Sequence, residues 1–536
     1  MKKIILYFGI LAGAFICCMP PAFYNRPAES PHIRIGLVEE VDNLLFTAVG
    51  DLRVLDETGK PVGLLEAGDW QVRVVDGRPA EKLFFLKVLA AKDSYAAEEK
   101  MKDLKKLGYA AFSRTVGRKL TFNSRSIIDN RVFIVYLEQV FINQENAAEF
   151  QKKNATAFSA QIVKEYNGKA SATIVFKNTQ NNKIFQFSHT IRLTDNEIIL
   201  RDVPVGEGFH WESKETRKYT GIIEFNLAPS ARITIINELP IERYLRGVVP
   251  SEMPSTFPAE ALKAQAVAVR TIALQKMGVA HVEQEFDVCD DVHCQAYRGV
   301  LAENAQTDLA VAGTYGIVVT SGSGLANTVY SAMCGGHTEA AVNVWNGDGA
   351  DYLKGILDFS NKKYSTLGDY LKTEENVRKW LESEPTTFCN QKSASIPALA
   401  EGSRKYFRWR IAYSDTEFGE IISQKTGQKV GILKELIPLE RGVSGRIKSL
   451  KVVGSSKTIL LEGELKIRQA LDRSTLFSSC FRVEKTADGR FGLIGAGFGH
   501  GVGMCQYGAA GMALKGKNFQ DILKHYYPGT TLNSLY

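Results

Sequence analysis

The stretch Tyr244 to Thr271, YLRGVVPSEMPSTFPAEALKAQAVAVRT, places one carboxyl, Glu252, among the apolar residues Val248, Val249 and Met253. Burial disfavours a carboxylate more than the neutral acid, so such a setting lifts the pKa toward the range where one group can both give and take a proton. Further along, Cys289, His293 and Cys294 put two sulfurs and an imidazole within six residues, a compact set that suits zinc if the chain turns between them. His281, eight residues before Cys289, is the candidate fourth ligand, with water as the alternative. A Cys289 to Cys294 disulfide is the competing reading in an oxidising compartment. Near the C-terminus glycines alternate at 495, 497, 499, 501 and 503, so the G-x-G-x-x-G register of a dinucleotide loop is absent. Strict alternation predicts a strand with one bare face, the other carrying Ala496, Phe498, His500, Val502 and Met504.

The elements that must hold these groups follow from local signals. Pro250 and Pro254 bracket Ser251, Glu252 and Met253, which predicts a tight turn, and Pro258 suits the first turn of a following helix. Leu262, Ala266, Val269 and Ala273 then repeat at helical spacing. The plainer reading makes Glu252 a residue near a helix start, stabilised by the dipole. The fold class is α+β. Residues 32–80 read as a small β unit, and 82–165 as a ferredoxin-like βαββα segment with a strand near Phe84 to Leu89, a helix from about Ser94 to Leu107, and a second strand and helix from Val132. Residues 166–240 form a β-rich lead-in, and 241–536 a mixed core with a β-rich insertion at about 405–480, where Gly442 to Gly454 and Thr458 to Ile467 look hairpin-rich.

Residues 1–24 combine two lysines with an apolar run from Ile4 to Ile16, the pattern of a secretory signal or an uncleaved anchor, which implies an extracytoplasmic protein. Export makes disulfides chemically possible, and Cys334 with Cys389, which flank a long insertion, is the first-choice pair. A net charge of +7 over 536 residues, with no run of five basic residues, does not indicate nucleic-acid binding.

Four stretches in order, YLRGVVPSEMPSTFPAEALKAQAVAVRT, DVCDDVHCQAYRG, SAMCGGHTEAAVNVW and GFGHGVGMCQYGAAGMALKGKNFQDILKHYYPGTTL, resemble the stage II sporulation protein D family, also called the amidase-enhancer family. The resemblance covers most of 208–536. It implies a peptidoglycan-processing protein that is either a lytic transglycosylase with Glu252 as its catalytic residue, or a glycan-binding activator of a cell-wall amidase. It places Tyr244, Arg246 and Arg270 as residues holding the turn or the substrate, and His500, Gln506 and Tyr507 beside the cleft. Some members of the family carry zinc at the cysteine motif. The 82–165 segment also resembles the sporulation-related repeat domain, whose partner class is glycan stripped of peptides.

Overall fold

The structure is a computed structural model that describes residues 30–122, 125–206, 212–282, 284–322, 324–345, 349–359 and 370–536. The leader expected over 1–24 lies outside these residues. No helix among those described is long and apolar enough to cross a membrane. Helix accounts for 27% and strand for 37%, in separate sheets and helical layers, which is an α+β fold.

Strands that bury one face need a second sheet to cover it. Residues 32–80 and 171–240 meet that need together: a seven-stranded and a six-stranded sheet each draw strands from both segments. Phe225 sits in the core 5.0 Å from Phe176 and 5.4 Å from Phe46, centroid to centroid. Each such ring, when fully buried, contributes about 1.5–3 kcal/mol.

Between these halves lies an inserted unit. Strand Glu81–Ala91 leads to helix α1 (Ser94–Lys106), strands Ala111–Val116 and Val132–Leu137, helix α2 (Gln144–Lys153) and strand Gln161–Asn167. The four strands pair antiparallel in the spatial order last, first, third, second, which is ferredoxin-like. The final strand completes the expected βαββα pattern. Asp93 and Asn143 start the two helices by accepting backbone N–H groups with their side chains.

Helix α3 (Ile241–Glu252) grows directly from strand Ile233–Pro240 and is followed by α4 (Ala259–Lys276). The turn expected around Glu252 is in fact the last turn of α3. Pro250 is tolerated there because it forfeits a single backbone hydrogen bond, and Met253, held extended at φ −137° and ψ 132° ahead of Pro254, ends the helix. Helix α4 is buried on nearly every side. Its alanines allow α3, Ala305–Ala312, Gln506–Leu514 and Phe519–Tyr526 to pack closely around it.

The expected β-rich insertion is mixed and runs further. Trp409–Tyr413, Phe481–Lys485 and Phe491–Gly495 form one sheet and Leu433–Arg441, Ile447–Gly454 and Thr458–Glu462 another, with helices Asp415–Thr426 and Glu464–Ala470 between. The hairpin pattern expected through Ile467 therefore ends at Glu462, where a helix takes over. Buried Glu339 pins this part to the CGGHTE segment by accepting the Val443 N–H at 3.1 Å and the Ser444 hydroxyl at 2.6 Å.

The glycine-rich strand expected through Met504 also fails to form. It ends at Gly495, because Gly497, Gly499, Gly501 and Gly503 take φ of +83°, +93°, +78° and +71°. A Cβ at Gly501 would strike the Arg446 guanidinium, and one at Gly503 the Val329 carbonyl. The bare side is thus filled by protein. This tight course lets Tyr330–Ser331 pair in parallel with Met504–Cys505.

Candidate functional site

Glu252, at the end of α3, keeps part of its surface open to solvent while protein encloses the rest. Its Oε1 accepts the Ala296 N–H at 2.7 Å. Burial raises the carboxyl pKa; the Ala296 N–H, the neighbouring Tyr330 hydroxyl and the charges of Arg298 and Lys276 oppose that rise without cancelling it. The group is therefore biased toward the protonated form, with a donor already aimed at the anion.

Around it stands a short polar relay. Tyr244 is fully buried and donates to Gln295 Oε1 at 3.4 Å, and Gln295 Nε2 donates to the Tyr330 hydroxyl at 3.2 Å. The Tyr244 phenol is pushed well up, by burial first and then by the Cys294 and Cys289 thiols and Glu252, so it remains a neutral donor. Gln506 reaches over from the start of its helix, and its Nε2 donates to the Glu252 carbonyl at 2.9 Å. A helix end leaves such carbonyls without a partner, so Gln506 fixes the position of the acid. His500 accepts the Val502 N–H on Nδ1 at 3.0 Å and is held by burial at a pKa of about 4, hence neutral. Its ring also interacts with the Tyr330 backbone and lies 4.9 Å from Trp345, centroid to centroid.

The other expected substrate-binding residues are engaged elsewhere. Arg246 pairs with Asp308 and Glu303. Arg270 is fully buried and grips Glu242 through both ends of its guanidinium, at 2.6 and 2.8 Å, while Tyr536 donates to the same carboxylate at 2.7 Å. It ties α3, α4 and the C-terminus together. Tyr507 packs edge-on to Phe257 at 5.3 Å and against Gly402. Sequence reasoning missed Gln295, Ala296 and Tyr330 as parts of the site. Gln295 and Ala296 lie inside a quoted motif, and Tyr330 stands one residue before another.

The four expected metal ligands do converge. One ligand atom from each of His281, Cys289, His293 and Cys294 lies within 4.8 Å of the others. His281 Nε2 is 3.2 Å from Cys294 Sγ, and His293 Nδ1 is 3.7 and 3.6 Å from the two sulfurs. This donor set can hold a metal ion. The loop is anchored because Val288–Cys289 adds to the edge of the seven-stranded sheet beside Ile35–Gly36, and Lys276 Nζ donates to the His293 carbonyl at 3.0 Å. Two residues past Cys294 comes the Ala296 N–H that meets Glu252.

Parts of the chain are similar to known proteins. A family model described as stage II sporulation protein matches residues 230–321, which carry α3, α4 and the cysteine loop, and one described as a domain of unknown function (DUF8618) matches 339–503. An uncharacterised protein of Brachyspira hyodysenteriae (strain ATCC 49526 / WA1) is 30% identical over 379 residues, 69% of this chain and 87% of that protein. The amidase enhancer of Bacillus subtilis (strain 168) is 29% identical over 302 residues, and the match spans 54% of this chain but only 40% of that protein. Stage II sporulation protein D of the same organism is 28% identical over 317 residues, 56% of this chain and 76% of the relative. The chain belongs to the stage II sporulation protein D and amidase-enhancer family.

Proposed function

We propose that this protein is an extracytoplasmic lytic transglycosylase that cleaves peptidoglycan strands already stripped of stem peptides, with Glu252 as its single acid and base. The observation that carries this reading is the Glu252 carboxyl itself, its pKa raised by burial and its Oε1 met by the Ala296 N–H, while the other described acids of these motifs are engaged elsewhere. Glu242 is bound by Arg270, Glu260 by Lys263 at 2.7 Å and the Phe519 N–H at 2.8 Å, Asp290 by Arg217 at 2.7 Å, and Asp291 by the Gly206 N–H at 3.0 Å. A hydrolytic glycosidase generally needs a second carboxyl about 5–9.5 Å away to act as nucleophile or to activate water. In the proposed reaction Glu252 protonates the glycosidic oxygen as the bond to C1 breaks. The resulting carboxylate, met by the Ala296 N–H and Tyr330, then takes the proton of the C6 hydroxyl of N-acetylmuramic acid as that oxygen bonds to C1. A 1,6-anhydro sugar forms, Glu252 is reprotonated and no water is consumed.

The donor set at 281–294 fits zinc: His281, Cys289, His293 and Cys294 would hold it, and the ion would lock the loop that presents Ala296 to Glu252. Mass spectrometry of peptide-free glycan strands after incubation tests the activity. The 1,6-anhydro product supports it, while a new reducing end indicates hydrolysis. Intact strands favour a second reading, a glycan-binding activator of a cell-wall amidase. That reading draws support from the relative named amidase enhancer and from the inserted unit, whose sheet face away from its helices carries Phe112 stacked on Tyr136 at 5.4 Å, Phe85 edge-on to both and Arg114 over Tyr136. Tyr136 is itself buried, so Phe85 and Phe112 are the partly open rings of this face that suit stacking on sugars.

A further inference from the structure

Behind the Tyr330 and Gln506 side of the site, three thiols and a carboxylate meet in the core. Cys334, Asp358, Cys389 and Cys505 are all buried, and one ligand atom from each lies within 4.8 Å of the others. They come from four separated stretches of chain. Cys334 Sγ stands 3.7 Å from Cys389 Sγ. A disulfide requires about 2.05 Å, whereas two thiolates on one tetrahedral zinc, each about 2.3 Å from the ion, stand about 3.8 Å apart.

The surroundings suit anionic ligands. Cys505 Sγ accepts the Cys334 N–H at 3.2 Å and the Gly508 N–H at 3.3 Å, and Cys334 Sγ accepts the Gly336 N–H at 3.4 Å. Backbone donors of this kind are the usual outer shell of metal-bound thiolates. Asp358 accepts the Cys389 N–H at 2.7 Å and the Tyr526 hydroxyl at 2.5 Å, and among the described residues no ion pair joins it to a cationic side chain. A fully buried carboxylate needs a counter-charge or a proton. Arg408 feels these thiols at a distance but gives its N–H groups to backbone carbonyls, including Gly335 at 3.0 Å.

We propose that Cys334, Asp358, Cys389 and Cys505 form a second metal site, for zinc or another thiophilic divalent cation that accepts tetrahedral geometry. The site is separate from the 281–294 cluster and does not depend on the reaction proposed for Glu252. Its place explains its use. Cys505 directly precedes Gln506, which holds the Glu252 carbonyl, and pairs with Ser331 beside Tyr330. The ion clamps the ladder that carries both of those residues.

The test is metal content of the full-length protein, purified reduced, equilibrated with zinc and freed of excess. Two equivalents are expected, falling to one in Cys289→Ser and to one in Cys389→Ser. Cadmium NMR of the cadmium-loaded unaltered protein, which needs no variant to fold, should show two resonances. A single equivalent that disappears with Cys289→Ser, or a single cadmium resonance lost with it, overturns the second site. A disulfide joining any two of Cys334, Cys389 and Cys505, recovered by non-reducing peptide mapping from protein never exposed to added oxidant, overturns it as well. One equivalent that survives Cys289→Ser supports the second site and removes the first.

Discussion

The two sides of the Glu252 site are built in opposite ways. One, from Ile241 to Arg298, is a nearly continuous stretch: α3 carries the acid, α4 braces it, and the cysteine loop returns with Ala296 to meet the carboxyl. The other is assembled from Tyr330 and from Gln506, far apart in sequence and joined by a two-residue parallel ladder. On the proposed reaction, the first side holds the reacting group and the second holds its position. Damage to the first should therefore abolish chemistry, and damage to the second should misplace or retune it.

The largest effect belongs to Glu252→Gln. Loss of the proton donor should lower strand cleavage by at least about a hundredfold. Stability should move the other way. Because the folded-state pKa of Glu252 is raised, its charged form is disfavoured by folding, and that penalty grows as pH rises through the folded pKa. At neutral pH the Gln variant should melt at or above the temperature of the parent. Retained cleavage would remove Glu252 from the chemistry, and a marked fall in melting temperature would make it structural.

Next on the same side, Cys289→Ser should release the ion of the 281–294 cluster and lower the melting temperature by on the order of 10 °C. Metal analysis beside calorimetry checks both. An unchanged metal content with unchanged melting would show that the four converging side chains hold nothing.

On the second side the effects shrink. Gln506→Leu leaves the Glu252 carbonyl without its donor, a buried loss of about 1–3 kcal/mol. It should cut kcat about tenfold with little change in KM, since substrate contacts remain. An equal rise in KM would instead make Gln506 a substrate ligand. Tyr330→Phe removes a group that holds the Glu252 pKa down, so the folded pKa rises further and the alkaline limb of the pH–rate profile should move up. A limb that stays in place, or moves down, would break the link between the two sides.

The contrast also explains what was legible in the sequence. The apolar neighbours of Glu252 and the spacing of Cys289, His293 and Cys294 are local patterns, and His281 was reachable because it too is close in sequence. Prolines misled: Pro250 read as a turn residue, yet at the end of α3 it costs little, and the stop comes from Pro254 acting on Met253. The alternating glycines suggested a strand, since nothing local tells a bare face from a run of left-handed residues pressed against Arg446 and Val329. Arg270 stayed open between holding the turn and holding the substrate, because a buried arginine with a distant carboxylate partner has no local signature; its grip on Glu242 places it with α3. Tyr330 and Gln506 gain their roles only through a pairing made across the fold.

The smallest effect tests whether the inserted unit shares in either side. Its first and last strands pair Glu81 with Asn167, and just outside it Arg78 pairs with Ser171 within the six-stranded sheet. Removing 81–167 and joining the ends through a short Gly-Ser turn should therefore leave a hairpin that the sandwich already contains. Asn130 does contact α4, donating to the Met277 carbonyl at 2.6 Å, and Arg118 pairs with Asp287 at 3.0 Å, so a modest fall in stability is expected. Cleavage of short peptide-free oligosaccharides should stay within about threefold of the parent, because among the described residues no hydrogen bond or ring contact joins a side chain of this unit to Glu252 or the relay around it. Retention on amidase-treated sacculi, which display long stripped strands, should fall if the Phe85, Phe112 and Tyr136 face binds glycan. Equal retention would leave glycan recognition to the cleft, whereas a collapse of short-oligosaccharide cleavage in a folded deletion protein would show that the unit, through Arg118 and Asn130, supports the acid-bearing side.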